Sequence, residues 1–330
     1  MTIAVITGTR PEIIKMYPII KLFDSRSVDY KYIHTGQHYD YDLFLKFVEE
    51  FEIRKPDIYI SADISNPVNQ VASIMEKIGS VLNELRPSLV LVEGDHISDI
   101  LFAPTNVSTR NLENEHVHGE VHTVGNTVID AINLCLDNAS TDSNNNIHTK
   151  GMTESSGTDE LEDDDFVLVT LHRSENVDDI DILRQVLMAL SDSNLKYIFP
   201  MHPHTLKRIQ EYGLIKQIGE GVKIIPPLGY LDFLKLLIKC RFVITDSGGV
   251  QEEITSPRIN KRALVLRECT ERPESVESGH SVLCKMEHKA ILEQIKGFER
   301  IDSKKRTTKS PYGIGEAAVK ITDILERKFF

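Results

Sequence analysis

The chain holds 330 residues, 41% of them hydrophobic and 27% charged, with a net charge of −12; that length exceeds one hydrophobic core and points to two domains. The acidic excess argues against a nucleic-acid or anionic-membrane surface, so any phosphate site has to be a local basic pocket and the partner a small molecule. No apolar run approaches a membrane span, no basic region precedes the first strand, and four cysteines without a Cys-x-x-Cys pair read as reduced and structural, so a cytosolic chain without a targeting segment is expected.

The first predicted strand, Ile3 to Thr7, runs into Gly8-Thr-Arg-Pro-Glu-Ile-Ile-Lys15. Thr9 is a candidate N-cap, and Pro11 sits near the first helical position, where its missing N–H costs nothing. Arg10 and Lys15 bring cations to that turn, one a fork for phosphate and the other a point charge; solvated surface charges would look the same. Pro18 should kink the helix or leave its first turn ragged. Strands are expected next at Tyr30 to His34 and at Leu89 to Val92, the latter entering Val92-Glu-Gly-Asp95. Asn138 to Asp165 is rich in Ser, Thr, Asn, Asp and Glu and ends in Glu162-Asp-Asp-Asp165, so it reads as a linker or disordered insertion.

In the second half, predicted strands end in polar clusters. Val167 to Thr170 leads into Leu171-His-Arg-Ser-Glu-Asn176, and Tyr197 to Phe199 leads into His202-Pro-His204. A further strand at Val222 to Ile225 and a helix at Tyr230 to Lys239 follow. Phe242 to Thr245 then opens onto Asp246-Ser-Gly-Gly-Val-Gln-Glu-Glu253, and Ala263 to Leu266 precedes Thr270-Glu-Arg-Pro-Glu274. Asp246 and Ser247 are N-cap types, Gly248 and Gly249 let a ligand approach the backbone, and a helix start favours a diphosphate. Glu252 or Glu253 could accept the hydroxyls of a ribose. A helix at Lys289 to Phe298 and a final amphipathic helix from Glu316 to Lys328 close the chain.

Short apolar runs alternating with helical periodicity predict βα units around parallel sheets. Ligands of such sheets sit beyond the carboxyl ends of the strands, where His172, Arg173, Arg272 and the glycine turn converge. His172 with His202 and His204 has the residue types of a metal site, but no carboxylate stands at a matching spacing, and phosphate recognition accounts for the same imidazoles. No metal is expected.

With these stretches assembled, the chain resembles the non-hydrolysing UDP-N-acetylglucosamine 2-epimerases, a family built like the two-domain B-type glycosyltransferases. The likeness is carried by Gly8 to Lys15, Thr35-Gly-Gln-His38, Val92 to Asp95, Gly125-Asn-Thr-Val-Ile-Asp-Ala131, Leu171 to Asn176, His202-Pro203, Thr245 to Glu253, Thr270 to Glu274 and Pro311-Tyr-Gly313, in family order. The resemblance implies an α/β fold of two Rossmann-like doubly wound domains facing a central cleft: residues 1–137, a linker at 138–165, a UDP-binding domain at 166–310, and a helix at 311–330 returning to the first domain. It implies UDP-N-acetylglucosamine as substrate, with Arg10, Ser247, Gly248, Gly249, Glu253 and Arg272 around UDP and with Lys15, Asp95 and His172 near the sugar. UDP would be eliminated across C1–C2 and added back with C2 inverted, without a cofactor, in a homodimer supplying cell-surface polysaccharide precursors. Gln37, His38 and His202 would form a second sugar-nucleotide site, or simply polar loops.

One departure stands out. Family members place a helix, a strand and two acid–base glutamates after the Val-Glu-Gly-Asp run, whereas here Gly94-Asp95 passes directly into His96-Ile-Ser-Asp99. A unit on the order of 30 or more residues is missing, which shortens the first domain. Epimerase activity with a substitute carboxylate such as Asp95 therefore competes with two alternatives: a UDP-sugar-binding homologue of impaired turnover, and a glycosyltransferase of the same architecture.

Overall fold

A computed structural model describes residues 2–36, 48–49, 51–63, 65–94, 98–142, 165–300 and 309–329. The chain divides into two compact units, Met1–Asp137 with Gly313–Phe330, and Asn138–Tyr312.

The first unit starts with β1 (Ile3–Thr7), whose five residues are all buried, and α1 (Arg10–Ser25). Thr9 occupies the N-cap position, yet its side chain does not cap; Glu12 reaches back instead and accepts from the Gly8 amide at 2.6 Å and from Thr9 Oγ1 at 2.7 Å. Pro18 removes one helical N–H, but α1 runs past it without a break because Ile14, Tyr17, Ile20 and Phe23 hold one face in the core. Next come β2 (Tyr30–His34), β3 (Ile58–Tyr59), α2 (Pro67–Leu85) and β4 (Leu89–Leu91). These strands form one parallel sheet in the order β3-β2-β1-β4.

Among the described residues the sheet stops at β4. The strands β5 (Ile100–Ala103) and β6 (Glu120–Thr123), with α3 (Asn106–Asn114) between them, make a separate two-stranded parallel sheet. The second half of α2 packs Ile78, Val81, Leu82 and Leu85 against Ala4, Ile6, Ile33 and Ile60, while Val68, Val71 and Met75 stay exposed. Last in this stretch is α4 (Thr127–Asp142), which extends helix into the first residues of the stretch read from sequence as a linker.

The second unit holds β7 (Val167–Thr170), α5 (Ser174–Val177), α6 (Ile180–Asp192), β8 (Tyr197–Pro200), α7 (Pro203–Glu211), β9 (Val222–Ile225), α8 (Tyr230–Lys239), β10 (Val243–Thr245), α9 (Gly248–Glu253), β11 (Ala263–Val265), α10 (Pro273–Glu277), β12 (Ser281–Leu283) and α11 (His288–Glu299). All six strands are parallel, ordered β12-β11-β10-β7-β8-β9. That is a doubly wound sheet whose order reverses between β7 and β10, the place where such folds bind ligands. The inner strands β7, β10 and β11 are buried on both faces, as the middle of a parallel sheet requires, whereas the edge strand β9 exposes Lys223 and Ile224.

The chain then returns to the first unit as α12 (Ala317–Phe329), which packs on α1. Asp130 of α4, 5% exposed, accepts from the amides of Ala317 and Ala318 at 3.3 and 3.0 Å, capping α12 from a distant element. Arg26 at the end of α1 pairs with Asp323 at 2.7 Å and Glu326 at 3.0 Å. Among the described residues no helix is long and apolar enough to cross a membrane.

Candidate functional site

At the switch point of the second unit, the ends of β7 and β10 are tied by Thr170 Oγ1 and Thr245 Oγ1 at 2.6 Å. Directly beyond them lies Asp246, fully buried. It does not cap α9, although its residue type suits that place. Ser247 does so, accepting from the Val250 amide at 3.4 Å. The Asp246 carboxylate turns instead toward the loop after β7 and accepts from the amides of His172 (3.0 Å) and Arg173 (2.8 Å), from Asn176 Nδ2 (3.2 Å), and at 3.1 Å from His172 Nδ1. Burial by itself would push its carboxyl up, yet the His172 hydrogen bond and charge together with these amides hold it below the usual carboxylate range. His172 presents 44% of its side chain to solvent, with the ring of His202 at 6.3 Å.

A basic cluster flanks this pair. Arg267 at the end of β11, 8% exposed in its side chain, holds Glu271 through two contacts of 2.6 and 2.9 Å, and Arg173 stands 3.8 Å from the same carboxylate. Arg267 foremost, against a desolvation penalty, lowers Glu271 from 4.5 to about 2. A carboxyl with a lowered folded value contributes stability above its unfolded value and forfeits it as pH falls through the folded one. Glu271→Gln is therefore expected to flatten the acid loss of stability between about pH 4.5 and 2 in urea melts. Because Glu271 is 54% exposed, the effect stays under about 1 kcal/mol.

Farther along, Arg272 sits at the N-cap position of α10 with Nε 2.5 Å from Glu252 Oε1, and Glu252 is 3% exposed. Glu252 is thus engaged by Arg272, and the neighbouring Glu253 is 7% exposed. Thr270 Oγ1 donates to Gln251 Oε1 at 2.8 Å and accepts from the Arg272 amide at 3.0 Å, which locks the Thr270 to Glu274 loop to α9. Tyr312 donates to Glu274 at 3.4 Å, and its hydroxyl is pushed up by burial first and by Glu274 and Glu252 after it.

The structure thus brings His172, Ser247, Gly248, Gly249, Glu253 and Arg272 to the carboxyl ends of one sheet. His202 follows β8 on the same side, with His204 Nε2 turned to Asp178 at 2.9 Å. In the first unit, Arg10 is the exposed first residue of α1, and Lys15 Nζ reaches Glu93 at 2.8 Å beyond β4. Asp95, Gln37 and His38 lie outside the described residues. Sequence reading overlooked Glu93, Arg267, Glu271 and the Asp246–His172 pairing. Glu93 had a signal, a carboxylate directly after a strand in the quoted run, whereas the other three depend on partners 4 to 74 positions away.

Comparison with known proteins gives a consistent picture. The family model described as UDP-N-acetylglucosamine 2-epimerase matches residues 21–96 and 95–326. A Methanocaldococcus jannaschii protein named UDP-N-acetylglucosamine 2-epimerase is 32% identical over an alignment of 374 residues, longer than this chain, covering 98% of it and 99% of the relative. The crystal structure of M. jannaschii UDP-GlcNAc 2-epimerase in complex with UDP-GlcNAc and UDP is 29% identical with a TM-score of 0.83, covering 99% of this chain and 100% of that one. The Neisseria meningitidis UDP-GlcNAc 2-epimerase bound to UDP-GlcNAc matches at 28% identity and a TM-score of 0.83, with coverage of 99% and 100%.

Proposed function

The chain belongs to the UDP-N-acetylglucosamine 2-epimerase family, and from that premise we propose that it interconverts UDP-N-acetylglucosamine and its manno epimer in the cytosol, on a route to cell-surface polysaccharide precursors. The observation that carries this reading is the full-length similarity to relatives solved with UDP-GlcNAc and UDP bound.

In the reaction a carboxylate removes the C2 proton, the C2–H electron pair becomes the C1=C2 bond, and the C1–O pair leaves with UDP; re-addition to C1 with protonation of C2 on the other face gives the epimer. Departure of the diphosphate calls for donors where its charge grows. His172 Nε2, the Arg272 guanidinium and the Ser247 to Gly249 turn supply them, and Glu253 takes the ribose. Arg10 and Lys15 keep, within this proposal, the phosphate- and sugar-facing roles read for them above, and Asp95 that of base. Gln37, His38 and His202 are kept as the second nucleotide-sugar site, and the working form is a homodimer. Incubation with UDP-GlcNAc in deuterium oxide is expected to place deuterium at C2, read by mass spectrometry.

A second reading, a UDP-sugar binder of impaired turnover, is favoured by one observation. The family match falls into two segments meeting at residues 95–96, where the resemblance expects acid–base glutamates that this sequence lacks, and the alignment with a relative is longer than the chain. UDP binding without any C2 exchange would select that reading.

Gly248 offers a test of the turn itself. An added Cβ would stand 4.0 Å from Arg173 Nη2 and Glu271 Oε2, so alanine is expected to change stability by less than about 1 kcal/mol. It would fill the space a phosphate needs, and calorimetry is expected to show UDP affinity falling at least about tenfold, or about 1.4 kcal/mol. Unchanged affinity would remove this turn from the binding site.

A further inference from the structure

The buried carboxylate of Asp246 has no part in the roles assigned above, yet among the described residues every hydrogen bond it accepts comes from the stretch His172 to Asn176. Two amides, Asn176 Nδ2 and His172 Nδ1 converge on it within 3.3 Å. Just upstream, Thr205 Oγ1 donates to the Leu171 carbonyl at 2.6 Å, so the backbone entering His172 is held from both sides. An ionised carboxylate only accepts hydrogen bonds. With Asp246 ionised, the proton shared with His172 has to sit on Nδ1, and Nε2 is then the atom turned away from the buried carboxylate. Among the described residues Nε2 makes no hydrogen bond.

We propose that Asp246 is the positioning residue for His172: it fixes the Nδ1–H tautomer and aims Nε2 at the leaving diphosphate. This inference rests on the epimerase reading above and deepens it. In water the neutral imidazole favours the other tautomer, so an unassisted histidine at this place would present the wrong protonation state for part of the time. The charged and titratable groups around His172 are Asp246 from β10, His202 from the start of α7, and its own neighbour Arg173, whose guanidinium is drawn to Glu271. Asp246 is the one among them in hydrogen-bonding contact with the ring.

The test begins with the unaltered protein. Long-range proton–nitrogen correlation NMR at a pH where His172 is neutral is expected to show a protonated Nδ1 and a bare Nε2; a protonated Nε2 would overturn the proposal without any variant. Asp246→Asn can still accept from the amides, but it turns an N–H toward the ring and is expected to invert that pattern. With inversion, the rate constant kcat for C2 deuterium exchange should fall roughly 10²- to 10⁴-fold with KM changed no more than about threefold, the behaviour of a lost tautomer rather than a lost binding site. Inversion with an unchanged exchange rate would also overturn it. If the unaltered chain exchanges no deuterium, the epimerase reading fails by itself. The positioning role is then read by UDP titration, which is expected to shift the His172 Nε2 resonance in the unaltered protein and to bind at least about tenfold more weakly to Asp246→Asn. A resonance blind to UDP would sink it.

Discussion

Arg272→Ala is expected to weaken UDP binding by about thirtyfold or more and to destabilise the second unit at the same time. Two effects add. A guanidinium hydrogen-bonded to a phosphate contributes about 2–3 kcal/mol, which is a loss of roughly 30- to 150-fold. Arg272 also holds Glu252 at 2.5 Å, and Glu252 is 3% exposed, so truncation takes a charged partner from a carboxylate in the interior. Breaking a buried pair costs about 3–5 kcal/mol; because the Arg272 side chain is 30% exposed, about 2–3 is the better expectation. Glu252→Gln added to Arg272→Ala separates the two effects. Urea melts should recover most of the lost stability, whereas calorimetry should show UDP affinity no better than in the single variant. An Arg272→Ala protein that binds UDP as tightly as the unaltered chain would contradict the assignment.

The second large effect lies far from the nucleotide. Asp130→Ala removes the acceptor shared by the first two amides of α12, in surroundings where water does not replace it. Loss of a cap costs about 0.5–2 kcal/mol and an unsatisfied buried donor about 1–3, so a total of about 3 kcal/mol is expected. Hydrogen exchange should report it first in α12, which is otherwise held by its buried Ile321 and Leu325 and by exposed pairs such as Arg26 with Asp323. Asp130→Asn keeps an acceptor and should retain most of the protection. Equal exchange in α12 for the alanine and asparagine variants would show that the cap does not hold the helix.

Much of this architecture could be read from residues alone. Ile3–Thr7 and Val167–Thr170 stand out because a central parallel strand is an apolar run cut off by a turn, and Tyr30–His34 and the edge strand Val222–Ile225 are apolar enough to be read despite one lysine each. Strand ends expected at Val92, Phe242 and Leu266 lie one residue outside the strands, since apolar character outlasts the ladder there. Ile58–Tyr59, Ile100–Ala103, Glu120–Thr123 and Ser281–Leu283 passed unnoticed: at two to four residues they are too short for a pattern to stand out, even where, as in Ile100–Ala103, every residue is apolar. The glycine turn, Arg173 and Arg272 were legible because each belongs to a local strand-turn-helix unit. The partnership of Asp246 with His172 was not, because 74 residues separate them and only the adjacency of β7 and β10 closes the distance.

The interruption after β4 carries a cost of its own. A strand edge without a neighbour among the described residues, with valines at 40% and 38% exposure, invites foreign strands to add to it, and a two-stranded sheet such as β5 with β6 gives little shelter. Self-association through this edge is therefore expected to grow with concentration, which sedimentation at rising concentration would check.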